Sequence, residues 1–250
     1  MKSIAQRRTI RKYEDRPVSA ELLNEIFTTA ARASTTGNMQ LYSVVVTTDP
    51  AEREALAPMH FGQPMVRTAP VVLTICADFR RFVRWCEVSG AEPGYDNFLS
   101  FTTAAIDALL FAQNVSTIAE EKGLGICYLG TTTYNAEAII DLLSLPELVI
   151  PITTITLGYP AEQPEQQDRL AVEAFVHHGR YEDYTDERIR ALYAYKESLE
   201  SSKQFVCENG KASLAQVFTD VRYSRADNEL ISDRFFAALK RQGFMNSFDK

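Results

Sequence analysis

The sequence has 250 residues and a mass of 28.1 kDa, and 46% of its residues are hydrophobic and 24% charged. These proportions are typical of a globular protein and exclude collagen, low-complexity disorder and disulfide-rich scaffolds. Its 26 basic and 33 acidic residues give a net charge of −7, which argues against nucleic acid or an anionic membrane as the main partner.

The first clear helix begins after Ser19, whose hydroxyl can accept a hydrogen bond from a free amide of the first turn. Val18 can pack onto Leu23, and an apolar stripe at helical spacing follows as far as Ala30. A loop of small hydroxyl residues then covers 34–40. It can wrap a ligand by hydrogen bonds and close backbone contact, or it is an ordinary helix C-cap with Gly37 at positive φ.

The longest predicted helix covers 97–122 and is apolar on most faces, which is usual for a core pillar or a dimer seam. Thr102, Asp107 and Gln113 interrupt it, so we expect it to fall short of the roughly 20 apolar residues of a membrane span. The N-terminus lacks the apolar core of a signal peptide. We therefore expect a soluble, cytoplasmic protein.

The remaining helix and strand signals are mixed without strict alternation, which favours an α+β fold over a doubly wound sheet. Strands are predicted over 41–48, 71–77, 125–129 and 152–157, helices over 136–143, 186–203 and 226–241, and a loop from 203 through 210.

Basic residues crowd the start of this acidic chain. Arg8, Thr9 and Arg11 offer guanidinium forks and a hydroxyl, which suit a phosphate group. Arg-rich segments are also typical of transit peptides, although Glu14 and Asp15 count against that interpretation. A solvated basic face is the third interpretation, and the residues alone leave the choice open.

No catalytic side chain stands out. The glycines from Gly123 to Gly130 follow a helix and open a strand, the reverse of a dinucleotide-binding fingerprint, so we exclude a Rossmann site there. Gly130 could still let the backbone approach a flat ring. Neither the cysteines nor the histidines have metal-ligand spacing, and we expect no metal. An enzyme with this sequence would need a cofactor. The cysteines and histidines without metal-ligand spacing are Cys76, Cys86, Cys127, Cys207, His60, His177 and His178.

Taken in order, several segments resemble the FMN-dependent nitroreductase family. The likeness is greatest to its oxygen-insensitive, NADPH-linked branch, which also contains bacterial flavin reductases. It covers about residues 4–184, and the tail over 185–250 matches loosely. The matching segments are 7–13, 31–36 with Gln40, 62–63, 76–79, 123–130, 157–161 and 169–170.

This resemblance implies an α+β sandwich with a mixed, mainly antiparallel sheet flanked by helices, assembled as an intertwined homodimer. Residues 1–250 would form a single nitroreductase-like FMN-binding domain, with 185–250 as a helical C-terminal extension. FMN would lie at the dimer interface. The expected partners are a second copy and a small-molecule electron acceptor, with neither nucleic acid nor membrane.

The resemblance also implies an FMN-dependent oxidoreductase. NADPH or NADH would reduce FMN, and nitroaromatics, quinones or free flavin would then take two electrons in a ping-pong reaction. No catalytic side chain is required, because FMN carries the chemistry. The alternatives are a non-catalytic flavin-binding protein, a related flavin enzyme such as a reductive dehalogenase, and an interaction protein with the long helix in a dimer seam.

The residues that the resemblance assigns to FMN fall into groups by role. A guanidinium at Arg11 would stabilise the negative charge of reduced flavin by several kcal/mol in a dry site. The phosphate and ribityl chain are assigned to Arg7, Arg8, Thr9 and Arg169, and the pyrimidine side of the flavin is assigned to Arg11 and Gln63. The ring is assigned to Thr35, Thr36 and Gln40, and the part of the ring near N5 to Tyr128, Leu129, Gly130 and Thr131.

Two departures from the family pattern stand out. Relatives usually have Lys-Pro-Arg where this chain has Gln167, Asp168 and Arg169, so one phosphate-binding cation is missing. Many relatives also have a second glycine where Thr131 stands. In the tail, a group of cations could meet the 2′-phosphate of NADPH or simply face solvent. These cations are Lys203, Lys211, Arg222 and Arg225.

Overall fold

The structure is a computed structural model that describes residues 2–246. The strands are β1 (Tyr42–Thr47), β2 (Val71–Asp78), β3 (Gly125–Leu129) and β4 (Val149–Gly158). The helices are α1 (Lys2–Ala5), α2 (Ala20–Ala30), α3 (Pro50–Leu56), α4 (Pro64–Thr68), α5 (Arg80–Val88), α6 (Phe98–Glu121), α7 (Ala136–Leu142), α8 (Asp186–Ser198), α9 (Glu200–Glu208), α10 (Leu214–Val217) and α11 (Arg225–Arg241).

The four strands form one sheet in the order β1–β2–β4–β3, and every neighbouring pair is antiparallel. β2 is buried along its whole length, as expected of a central strand. β3 is an edge strand, and its outer side makes a single parallel bridge between Ile126 and Thr9. Among the described residues that bridge is the only parallel pairing, so the α+β expectation holds with a sheet more antiparallel than predicted.

Helices cover both faces of this sheet because side chains along a strand alternate between faces. Leu73 and Ile75 of β2 pack with α2 and α6, whereas Val72 packs with α3, α4 and α7. A third apolar cluster combines Phe79 and Phe244 with the end of α11. The edge strand β3 and its flanking turns are thus held by cores on both faces.

The long helix α6 was predicted within one residue at each end. Asn97 Oδ1 accepts from Ser100 N at 3.1 Å, and Gly123 adopts φ +81° just beyond the last turn. By length and composition α6 could cross a membrane, contrary to the expectation drawn from its polar interruptions. Its buried residues, among them Ala108 and Val115, pack on the sheet as in the core helix of a soluble protein.

Most other predicted elements are confirmed, with differences at their ends. Ser19 caps α2 by accepting from Leu22 N at 3.2 Å. The strand predicted over 152–157 begins three residues earlier, at Val149. The loop predicted after 203 is wrong, because α8 breaks at Leu199 and α9 continues to Glu208.

The chain divides into two compact units, Met1–Glu165 with Ile231–Lys250, and Gln166–Leu230. The first unit contains the sheet and α1 to α7. The second contains α8, α9, α10 and the start of α11. This division does not coincide with the boundary expected at residue 185, and the single-domain organisation stays a prediction.

Candidate functional site

The segment that carries the predicted phosphate-binding residues lies along the outer edge of β3. Ile10 N donates to Ile126 O at 3.0 Å, beside the Thr9 bridge. This approach needs Gly125, because a Cβ there would lie 2.6 Å from Ile10 Cγ1. Glu162 fixes the backbone that follows, since its Oε1 accepts from Arg11 N at 2.7 Å and from Lys12 N at 3.0 Å.

Arg7 and Arg8 line a cleft of about 1130 Å³ at the start of β3. Ligand cavities are commonly roughly 300–1,000 Å³, so its size suits a cofactor. Arg8 Nη1 donates to Gln6 O at 3.0 Å, but Arg8 Nε is buried with no partner. A buried guanidinium N–H without an acceptor is costly, and an anion in the cleft would satisfy it.

An acidic side chain shares this cleft. Arg7 Nε lies 3.6 Å from Glu120 Oε1, with the Glu120 side chain 11% exposed. Burial raises the pKa of Glu120, and Arg7 opposes that shift. Arg7 and Arg11 similarly oppose the rise in pKa that burial causes at Cys127. The predicted cations therefore gather around the first half of β3.

The hydroxyl loop predicted over 34–40 is held by one buried carboxylate on α6. Asp107 is 1% exposed. Its oxygens accept from Thr35 Oγ1 at 2.5 Å, from Thr36 N at 3.0 Å and from Leu41 N at 3.3 Å. Thr36 Oγ1 also donates to it, at 3.2 Å. The Thr35 and Thr36 hydroxyls thus shape the loop through Asp107.

Two predicted ligand-lining turns hold bulky residues in the left-handed region. Gln40 has φ 55°, and its carbonyl accepts from Arg81 while its amide donates to Thr35 Oγ1 at 2.8 Å. Phe61 has φ 54° and is 64% exposed, just before Gln63. Such conformations are uncommon outside glycine and asparagine and concentrate at functional turns. Gly37 has φ +54° but is no C-cap, because α2 ends at Ala30.

The turn after β3 presents backbone to solvent. The Leu129 side chain is buried, and the half-buried Tyr128 side chain packs against the core. Gly130 is exposed, and a Cβ there would meet nothing within 4 Å. The hydroxyl of the next residue, Thr131, lies 2.8 Å from His60 Nδ1. His60 lies in the turn Ala57–His60, and its carbonyl accepts from Gln63 N at 3.2 Å.

Arg169 lies in the second unit. Its Nη1 donates to Asp168 O at 2.8 Å. Lys196 Nζ pairs with the Asp168 carboxylate at 2.9 Å, so the acid beside Arg169 is neutralised. Together these residues line a cavity of about 320 Å³ with Tyr195.

The tail cations each have a partner within the second unit. Lys203 pairs with Glu200, Lys211 with Asp220 and Arg225 with Glu229, while Arg222 lies 4.7 Å from the centre of the Phe205 ring. Exposed pairs of this kind are weak, so they can yield to a ligand phosphate.

The structure thus groups the predicted residues of the first unit into three sets. These sets are the arginines and Thr9 at the start of β3, the loop on Asp107, and the turns of Gln63 and Thr131 joined by His60. Sequence reasoning missed Asp107, His60, Glu120 and Glu162. Asp107 left a signal, because it is the only charged residue between Phe98 and Ala119.

Within residues 2–246 no group of three or more side chains has the chemistry to hold a metal ion. The described cysteines are unpaired, and burial raises the pKa of Cys76 to about 12, which makes that thiol inert. The fit to a phosphate-bearing flavin is better. Arg8 supplies an orphaned donor, and Gly130 supplies a bare stretch of backbone.

Comparisons with known proteins agree with that fit. The chain matches the model of the nitroreductase family over residues 4–78 and 59–159. It is 36% identical over 186 residues to the oxygen-insensitive NADPH nitroreductase of Salmonella typhimurium, covering 74% of this chain and 75% of that protein. It is 30% identical over 201 residues to the FMN reductase (NADPH) of Bacillus subtilis, covering 80% and 81%. A solved structure of a protein from Bacteroides fragilis has 59% identity and a TM-score of 0.97, covering 98% of this chain and 100% of that chain.

Proposed function

The chain belongs to the nitroreductase family and is an FMN-dependent NAD(P)H oxidoreductase, and from that premise we propose that it reduces nitroaromatics, quinones or free flavin in a ping-pong cycle. The observation that carries the site assignment is the buried Arg8 Nε without an acceptor, in a cleft that Arg7 also lines. A phosphate at this point satisfies the Arg8 donor, whereas Arg7 already faces the Glu120 carboxylate.

FMN, when bound, supplies the redox chemistry by exchanging a hydride with NAD(P)H and electron pairs with the acceptor. The chain supplies binding and electrostatics. Arg7, Arg8 and Thr9 hold the phosphate and ribityl chain. Arg11 stabilises negative charge on the pyrimidine side, with its backbone fixed by Glu162.

The remaining residues of the proposed site shape the ring pocket. Thr35, Thr36 and Gln40 form a loop that Asp107 pins to α6. Tyr128 and Leu129 contribute backbone, because their side chains belong to the cores. Gln63, Gly130 and Thr131 complete the pocket, and the family resemblance assigns Arg169 to the phosphate. The tail cations would bind the 2′-phosphate of NADPH.

Anaerobic titration of the FMN-loaded protein with NADPH tests this function. One equivalent should bleach the flavin absorbance, and a nitroaromatic or a quinone should restore it. Steady-state rates should give parallel double-reciprocal lines, as a ping-pong reaction requires. A flavin that stays oxidised under excess NADPH and NADH would contradict oxidoreductase activity and favour a non-catalytic flavin binder.

A homodimer is part of the same proposal. One face of α6, which we call the apolar α6 face, exposes Leu99, Ile106, Leu109 and Leu110, with exposures of 75%, 52%, 47% and 44%. Contiguous exposed apolar residues of this kind usually mark a protein interface. A second copy is the occupant that the family resemblance implies. We place this dimer in the cytoplasm.

Sedimentation equilibrium tests the dimer. The wild-type chain should sediment as a dimer, and the double variant Ile106→Glu with Leu109→Glu should be monomeric and bind FMN poorly. Val88→Glu, at a 74% exposed position on α5, is the matched control and should stay dimeric. A monomeric wild type at micromolar concentration would contradict the proposal.

A further inference from the structure

His60 is a buried histidine that the family resemblance assigns no role. It is 0% exposed and ends the turn Ala57–His60. Its Nδ1 lies 2.8 Å from Thr131 Oγ1, whereas its Nε2 is buried with no partner. Burial lowers the pKa of His60 to about 4, so the imidazole is neutral near pH 7. One ring nitrogen therefore carries a hydrogen and the other a lone pair.

The orphaned Nε2 decides which nitrogen carries the hydrogen. If Nε2 were protonated, a buried N–H would lack an acceptor, which proteins rarely tolerate. If Nδ1 is protonated, it donates to Thr131 Oγ1, and only an acceptor lone pair goes unused at Nε2. The second arrangement costs less. In this second arrangement the Thr131 hydroxyl oxygen accepts from Nδ1–H, so the hydroxyl hydrogen is available to donate to another group.

His60 also joins two segments that line the proposed flavin pocket. Its carbonyl accepts from Gln63 N at 3.2 Å, while its ring holds Thr131. Asn135 Nδ2 donates to Met59 O at 2.7 Å and reinforces the same junction. The Gln63 turn and the turn after β3 therefore have a fixed separation.

We propose that His60 is a positioning residue of the flavin site, which as the Nδ1–H tautomer directs the free hydrogen of the Thr131 hydroxyl toward the bound ring. This inference rests on the proposed function, because it takes Thr131 to lie beside the bound flavin. It gives a reason for a threonine where many relatives have glycine. The side chain adds a donor that a glycine cannot supply.

The first test reads the tautomer directly. The full chain is labelled with ¹⁵N-histidine, and its three histidines give few ring signals. The His60 signals are those that vanish in His60→Asn. At pH 7 the nitrogen shifts should show a neutral ring protonated at Nδ1, with and without FMN. A ring protonated at Nε2, or at both nitrogens, overturns the proposal.

The second test measures FMN affinity and the spectrum of bound FMN in matched variants. Thr131→Val removes the hydroxyl at nearly constant shape and should raise the FMN Kd about five-fold, the effect of one hydrogen bond. It should also shift the visible flavin bands. Thr131→Ser keeps the hydroxyl and should stay within about two-fold of the wild type. Equal affinities and spectra for the valine and serine variants overturn the proposal.

A double-variant cycle separates positioning from general packing. His60→Leu should weaken FMN binding in the wild-type background but add nothing to Thr131→Val, because both act through one hydroxyl. His60→Asn retains a donor near Nδ1 and should recover part of the affinity. Additive losses for His60→Leu and Thr131→Val overturn the proposal.

Folding controls keep these tests decisive. Thermal unfolding shows whether each variant folds. If His60→Leu does not fold, the tautomer of His60 and the comparison of Thr131→Val with Thr131→Ser still test the proposal. If the wild type binds no FMN, the proposed function and this inference both fail. If the wild type binds FMN but the tautomer or the valine–serine contrast is wrong, this inference alone fails.

Discussion

The guanidinium of Arg8 places a cation against the cleft, with Nη1 on the Gln6 carbonyl and a buried Nε that lacks an acceptor. Arg8→Ala should weaken FMN binding by about 1.5–3 kcal/mol, the effect of a charged hydrogen bond. Isothermal titration calorimetry measures the change. Arg84→Ala, on the exposed side of α5, is the control and should leave FMN affinity unchanged. Unchanged affinity in Arg8→Ala would refute the role of this side chain.

Asp107 is a buried carboxylate whose partners are all donors from the loop before β1. Asp107→Asn places an amide N–H₂ against those donors, so we expect a loss of about 2–3 kcal/mol in the free energy of unfolding. FMN binding should weaken as the loop loosens. Urea unfolding and FMN titration measure the two effects.

The control for Asp107→Asn is Asp141→Asn, at an exposed aspartate paired with Arg241 on the surface. Surface pairs contribute little, so this change should cost less than about 1 kcal/mol. Equal stability of the two variants would show that the Asp107 contacts do not hold the loop.

Residue types could be predicted better than their contacts. The hydroxyls of Thr35 and Thr36 and the cations near Arg8 were visible in the sequence. Their partners were not, because Asp107 lies 72 residues beyond Thr35 along the chain. His60 gave no usable signal, since a lone histidine is uninformative until the fold brings Thr131 to it.

At the scale of elements, Gly125 at the start of β3 and Gly130 just after its end have different expected roles, the first in protein stability and the second in FMN binding. A Cβ at Gly125 would lie 2.6 Å from Ile10 Cγ1, whereas one at Gly130 would meet nothing within 4 Å. Gly125→Ala should therefore destabilise the protein by about 1–3 kcal/mol and displace the segment that carries the arginines. Gly130→Ala should keep wild-type stability yet weaken FMN binding, because the ring approaches that backbone.

Urea unfolding and FMN titration of both glycine variants measure this contrast. Full FMN affinity in a stable Gly130→Ala protein would remove Gly130 from the proposed pocket. A Gly125→Ala protein as stable as the wild type would show that the segment is not packed tightly on β3.

The elements with strong local signals were predictable. α6 has a capping asparagine and a terminal glycine, and β2 is a β-branched run after a proline, so their bounds followed from the chain. The break between α8 and α9 did not, because Leu199 leaves the helical region without a glycine or proline to mark it. The short helices α3 and α4 were also missed. Asp49 and Pro50 mark the start of α3 in the sequence, whereas α4 has no capping side chain.

At the scale of the whole molecule, the buried His60 couples stability to pH. Burial lowers its pKa to about 4 from an ordinary value of 6.5. Between pH 4 and pH 6.5 the unfolded chain binds a proton at His60 that the folded chain does not bind. The contribution of neutral, buried His60 to the free energy of unfolding is therefore complete above about pH 6.5 and is lost as the pH falls toward 4. The loss should reach about 3 kcal/mol.

Urea unfolding at pH 7 and pH 4.5 measures this term as the difference between the wild type and His60→Asn. Carboxylates titrate equally in both proteins, so their effect on the free energy of unfolding cancels in this difference. His178→Gln, at an exposed position, is the control and should follow the wild type. An identical pH dependence for wild type and His60→Asn would show that His60 is not buried as a neutral ring.

The most important property of the proposed site is that it binds FMN between the arginines beside β3 and the turn at Gly130. Equilibrium titration of the flavin-free full chain with FMN, followed by quenching of flavin fluorescence, measures it directly. We predict saturable quenching with one FMN per chain and affinity that falls as salt rises, since a phosphate meets guanidinium groups. Fluorescence that stays at the level of free FMN at every protein concentration would contradict the account.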